Sequence, residues 1–152
     1  MAIYKGKNPL SKAIKEDARG VVKQFVGIMK AIGNIAVNEA KTNFKRQGFM
    51  DRSVKPWDAR KRKDKNPKIR AILVKSGALR RSIRRISVSN KRVTIGSKGK
   101  AAVYAGVHNY GLKSGRKSAP FIMPKRQFLG PSHTTNKRIV NLIKKKIKKG
   151  FK

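Results

Sequence analysis

Cysteine is absent from this chain of 152 residues, and acids are scarce. Without cysteine there is no disulfide and no thiolate metal site, which fits folding in a reducing compartment. Only Glu16, Asp17, Glu39, Asp51, Asp58 and Asp64 carry carboxylates, so the chain from Lys65 to Lys152 holds no acid at all. Histidine occurs only at positions 108 and 133. So few His and carboxylate groups assemble no zinc-ligand spacing. No pair of carboxylates is placed for acid–base work, since Glu16 and Asp17 are neighbours on what reads as helix surface. No Ser-His-Asp arrangement is discernible either, and His108 reads as a packed or hydrogen-bonded histidine. An enzyme is therefore not expected, nor a cofactor, a metal or a small-molecule substrate. Apolar runs near the ~18 residues of a membrane span are missing, as is a signal-peptide core, so no membrane association is expected.

What is present is positive charge. Forty-one Lys and Arg stand against six acids, a formal net charge of +35. Such a field favours polyanions such as nucleic acid, acidic protein surfaces or anionic lipid, and it opposes compaction by self-repulsion. The chain is still 38% hydrophobic, enough for a core, and its length suits one domain.

In order, residues 1–10 read as a flexible basic arm broken by Gly6 and Pro9. Residues 11–150 read as a single domain. Ser11 opens a long helix in which Ile14, Ala18, Val21, Val22, Phe25, Ile28, Met29, Ile32, Ile35, Ala36, Ala40 and Phe44 recur at three- and four-residue spacing. Glu16 and Asp17 suit its start, Lys45 and Arg46 its end, and Gly48 its stop; Gly27 and Gly33 are places where it can break. A long extended loop follows at about 47–70. Within it, Trp57 fits either a core anchor or an interface hot spot. The basic run Arg60, Lys61, Arg62, Lys63 fits a solvated face or a polyanion contact.

Ser76 is placed to cap one or two helical turns carrying Leu79 and Ile83. From Arg84 the period becomes two, and Ile86, Val88, Val93 and Ile95 flank a turn at Asn90-Lys91, a hairpin signal. Val103–Tyr110 reads as a further strand or a strand entering a turn. Lys113, Arg116 and Lys117, with Ser114, Gly115 and Ser118, read as a projecting basic loop. Pro124 holds Met123 extended. Ser132 or Thr134 caps a closing helix with Ile139, Val140, Ile143 and Ile147 inward and Lys144, Lys145, Lys146, Lys148 and Lys149 outward. No internal repeat is apparent.

Several of these segments, in this order, carry a resemblance. They are Lys55-Pro56-Trp57; Ile72-Leu73-Val74-Lys75-Ser76-Gly77-Ala78-Leu79-Arg80-Arg81-Ser82-Ile83; Val93-Thr94-Ile95-Gly96-Ser97; Tyr104-Ala105-Gly106-Val107-His108-Asn109-Tyr110-Gly111; and Ile122-Met123-Pro124-Lys125-Arg126-Gln127-Phe128-Leu129-Gly130. The sequence resembles the phage virion morphogenesis family, the tail completion proteins of tailed phages. The resemblance implies an α+β fold, with the long N-terminal helix and the C-terminal helix packed on a small, mainly antiparallel β-sheet. It implies a non-enzymatic structural protein of the virion, assembled in the host cytoplasm and placed at the head–tail junction or tail. Such proteins form homo-oligomeric rings, commonly hexameric, that meet phage neck and tail proteins. A ring in the neck surrounds the DNA path, so contact with DNA is expected to be backbone-only. The alternative is a non-specific nucleic-acid-binding basic protein without a place in the virion.

On that footing the expected interaction residues are Trp57, Arg60, Lys61, Arg62, Lys63, Lys113, Arg116, Lys117 and Arg126. Arg126, between apolar neighbours, is expected to pair with a carboxylate across a subunit boundary, or, in a chain so short of acids, equally with another protein or a phosphate. The expected scaffold is Tyr104, Tyr110, Gly111, Pro124 and Phe128, with Phe121 as a further packing aromatic. Gly111 is expected to supply a backbone angle that a side chain forbids.

Overall fold

The computed structural model describes residues 9–60 and 71–150. Helix α1 runs unbroken from Pro9 to Arg46, past Gly20, Gly27 and Gly33. It begins two residues before Ser11, so Ser11 does not open it. Its second half is the spine of the protein. Val37, Ala40 and Phe44, at three- and four-residue spacing, are buried. Gly33 is needed for close approach: a Cβ there would lie 2.6 Å from Arg85 Cδ and 2.9 Å from Val93 Cγ2. The helix ends at Gln47, whose φ of 56° is left-handed. Its amide accounts for that choice, donating to the Phe44 carbonyl and accepting from the Ile72 N–H. Gln47, rather than Gly48, is thus the stop.

The expected loop at 47–70 starts as structure. Strands β1 (Gly48–Met50) and β2 (Val54–Pro56) form a short antiparallel hairpin. After Ala71 a turn leads to α2 (Ala78–Ser82), where the Ser76 hydroxyl accepts from the Ala78 N–H at 3.3 Å. Strands β3 (Ile83–Val88) and β4 (Val93–Ser97) form the expected hairpin, bulged between Arg85 and Ser87. This ribbon lies across α1, and the Arg85 guanidinium donates to the Lys30 carbonyl at 3.1 Å.

A short 3₁₀ turn then enters α3 (Ala102–Tyr110). The strand expected over Val103–Tyr110 is therefore a helix. Ala101, Ala105 and Asn109, four apart, are its buried face. Small residues let it sit close to the core, and that spacing outweighs the β-branched and aromatic content. Gly111 closes it at φ 71°, with its N–H on the Val107 carbonyl at 3.0 Å. The projecting loop at 112–118 is in fact half of a third hairpin, β5 (Lys113–Arg116) with β6 (Ala119–Ile122).

The segment from Met123 to Phe128 is irregular, as Pro124 dictates. It leads to α4 (His133–Gly150). Ser132 caps this helix, its hydroxyl accepting from the Thr135 N–H at 3.2 Å. Asp51 adds a second cap from the β1–β2 turn, its carboxylate accepting from the His133 N–H at 2.9 Å.

The fold is α+β, with every strand pairing antiparallel and two long helices framing them. Among the described residues the β structure is three separate two-stranded ribbons rather than one sheet. A pair of strands is marginal alone, so the first two ribbons depend on α1. The core is Phe44 with Trp57 edge-on at 5.5 Å and Phe128 at 5.1 Å, extended by Val37, Ala40, Leu79, Ile83, Ala101 and Ala105. Removing a buried aromatic such as Phe44 costs about 3–5 kcal/mol.

Candidate interaction surfaces

The polar groups inside the fold hold the irregular segment after Pro124. Its backbone has no strand partner, so its buried N–H and C=O groups need side chains. Asn109 Oδ1 accepts from the N–H of Phe128 and of Leu129, each at 2.9 Å, and its amide donates to the Leu129 carbonyl at 3.0 Å. Asn43 completes the set, donating to the Phe128 carbonyl at 3.2 Å and accepting from the Met50 N–H at 3.1 Å. Trp57 is in the core at 7% exposure, and its indole N–H donates to the Gln127 carbonyl at 2.7 Å. Trp57 is thus placed as the anchor, facing its own chain.

Arg126 is buried too. Its Nε and Nη2 donate to the Asp58 carbonyl at 3.4 and 3.3 Å, and its backbone N–H donates to His108 at 2.8 Å. Within its own chain Arg126 is thus tied to a backbone oxygen and not to a carboxylate. Burial lowers the guanidinium pKa from its ordinary value, opposed by Asp58 and reinforced by Arg60. His108 is lowered as well, first by burial and then by the nearby Arg126 charge. Its Nδ1 is buried and without a hydrogen-bond partner, and its ring meets Tyr104 edge-on at 6.0 Å. Tyr104 and His108 line a cleft of about 290 Å³ together with Arg60, Leu73, Ser76 and Leu79. Arg60 is half-buried there and donates to the Ala71 carbonyl at 2.9 Å. The structure therefore brings together Arg60, Arg126, Tyr104 and His108. Lys61, Arg62 and Lys63 lie outside the described residues.

Lys113, Arg116 and Lys117 are exposed on the β5–β6 hairpin, away from that cleft's lining. The hairpin is also apolar: Phe121 is 50% exposed and Ile122 70%. Leu112 beside it and Tyr110 and Val103, seven apart on α3, are exposed as well. Of the expected scaffold aromatics, only Phe128 packs in the core; Tyr104 is partly exposed, and Tyr110 and Phe121 face outward. Pro124 is half-buried.

Two carboxylates are used internally. Glu39, 5% exposed, is paired with Arg46 and with Arg138 of α4. Asp51 is held below its ordinary pKa chiefly by the His133 N–H, and also by the charges of Lys55, Arg52 and His133. Sequence spacing carried no sign of Glu39, Asn43, Asn109 or Asp51, because each acts on a residue far along the chain. Among the described residues, no cluster of three or more His, Cys, Asp or Glu is placed for a metal.

By length and composition alone, Ala18–Arg46 of α1 is sufficient to cross a membrane. Lys23 and Lys30 interrupt that stretch in the sequence, and its second half is the buried spine with Glu39 and Asn43 inside. Val21, Val22 and Phe25 in its first half are exposed.

The two framing helices, the antiparallel ribbons and the internal ties leave apolar and basic surfaces facing outward. The chain belongs to the phage virion morphogenesis family, whose profile matches residues 7–148. It is accordingly a protein of phage virion assembly. Neither a curated protein nor a solved structure matches it.

Proposed function

We propose that this protein completes the tail or neck of the virion as a non-enzymatic, homo-oligomeric ring at the head–tail junction. The observation that carries this reading is the strip of chain from α3 through the β5–β6 hairpin, along which Val103, Tyr110, Leu112, Phe121 and Ile122 are all left exposed. Large apolar side chains left exposed in such number on one segment mark a protein–protein contact. Neither hairpin strand packs extensively on another element, so the strip is free to meet a neighbour. A projecting element docking on a different face of the next copy is a head-to-tail contact, and such contacts close into rings. Six copies is the number the family resemblance implies. Phage neck and tail proteins are the further partners.

The competing reading, a nucleic-acid-binding protein without a virion role, is supported by the +35 charge but leaves the apolar strip without a use. Light scattering after size exclusion, on the protein alone and mixed with neck and tail proteins, tests the proposal. A closed ring is expected; a monomer under both conditions overturns it.

A further inference from the structure

Helix α4 carries a feature that ring formation does not use. Lys137, Asn141, Lys144, Lys145, Lys148 and Lys149 recur at three- and four-residue spacing, and all are exposed. At 100° per residue they fill one arc of the helix. Ile139 and Ile143, both half-buried, occupy the opposite arc, half-buried Leu142 lies at its edge beside Lys149, and α4 packs on α1. Helix α4 contains no acid. Among the described residues, none of these five lysines has an ion-pair partner, because the ion pairs there involve only Glu39 and Asp51.

We propose that this outer face of α4 is a contact for the phosphate backbone of duplex nucleic acid. The geometry suits that partner. From Lys137 to Lys149 the helix rises about 18 Å, and one DNA strand presents about five phosphates over that distance. Five ammonium groups meet them. The choice of cation is informative as well. Where α4 meets a carboxylate it uses its single arginine, Arg138 on Glu39 at 2.7 Å. Arg138 falls between Lys145 and Lys149 on the same arc but is taken up by Glu39, and the cations left on that arc are all lysine, a point charge suited to phosphates without the planar fork that selects carboxylates. A lipid surface is the poorer fit, because Ile139, Leu142 and Ile143 of the helix's apolar arc are half-buried, which leaves only Val140 and Ile147 exposed to enter a bilayer. No aromatic stands among the lysines to stack on bases, so the contact reads charge and not sequence.

The test uses the full chain and a fluorescein-labelled random duplex of about 30 base pairs, with affinity followed from about 50 to 200 mM salt. The variant K144Q/K145Q/K148Q/K149Q keeps helix propensity, since Gln and Lys are nearly equal. Four lost phosphate contacts make the slope of log K against log salt shallower by about 3–4. The control K113Q/R116Q/K117Q, which removes similar charge from the hairpin, shifts it by less than about 1. An unchanged slope in the α4 variant, or equal losses in both variants, overturns the proposal. So does an α4 variant that loses binding to phosphatidylserine vesicles or to polyglutamate while its duplex slope stands. Light scattering of the same variant reads the copy number separately, so a failed ring and a failed duplex contact are distinguishable.

Discussion

Glu39 on α1 accepts from the Arg138 guanidinium on α4 at 2.7 Å, and the two are 99 residues apart in the chain. The carboxylate is 6% exposed while Arg138 is 54% exposed, so the anion is the buried member. It is shared with Arg46, at the end of its own helix. Glu39→Gln should therefore leave two cations without their anion and loosen α4 from α1. The expected loss is about 2 kcal/mol in urea unfolding. Arg138→Gln should cost less, because Arg46 still holds Glu39.

Asn109 satisfies three backbone groups of the segment at Phe128 and Leu129. Asn109→Leu is nearly the same size but makes none of those bonds. The expected loss is about 3 kcal/mol. The emission of the sole tryptophan, Trp57, should report it, since Trp57 is tied to the adjacent Gln127 carbonyl. An unchanged unfolding midpoint would contradict this account of the segment.

His108 is held below its ordinary value of 6.5 by burial and by Arg126. The unfolded chain therefore binds the proton more readily than the folded one. Stability from this group is complete above about pH 6.5 and is lost as the pH falls toward the lower folded value. Thermal unfolding from pH 7.5 down to 5 should show that decline, and His108→Gln should flatten it. A slope unaltered by the substitution would assign the decline to other groups.

The hairpin residues Phe121 and Ile122 are exposed in the single chain. The double variant F121S/I122S should change the unfolding free energy by no more than about 0.5 kcal/mol per site. Oligomer formation should nonetheless weaken, as read by light scattering across a concentration series. Variants that assemble as the parent does would remove the strip from the interface.

Much of the frame was legible from periodicity. The α1 and α4 stripes and the β3–β4 alternation are local patterns, each repeated enough times to place its element, but Val140 and Ile147 of α4, expected inward, are about half exposed because α4 packs on α1 along one narrow face. Helix α3 was not, because Val103, Tyr104, Val107 and Tyr110 resemble a strand while the deciding residues, Ala101, Ala105 and Asn109, are small. The β5–β6 hairpin was hidden by its turn, where Lys117 and Ser118 look like loop, and by strands too short for alternation to show. Arg126, set between apolar neighbours, reads as reaching for a group outside its own chain; burial against a carbonyl 68 residues away leaves no trace in nearby residues. Gln47 is a similar case: its left-handed angle is supported by an amide contact to Ile72, a partner that only the folded chain supplies.

The β5–β6 hairpin hangs from the core by its two ends, joined just below by the Met123 N–H on the Leu112 carbonyl at 3.1 Å. Nothing in the hydrophobic centre has to open for it to swing onto another surface. In the proposed ring, recruiting a copy through that hairpin would leave the packing around Phe44 undisturbed, so the seams between copies could open while each subunit stays folded.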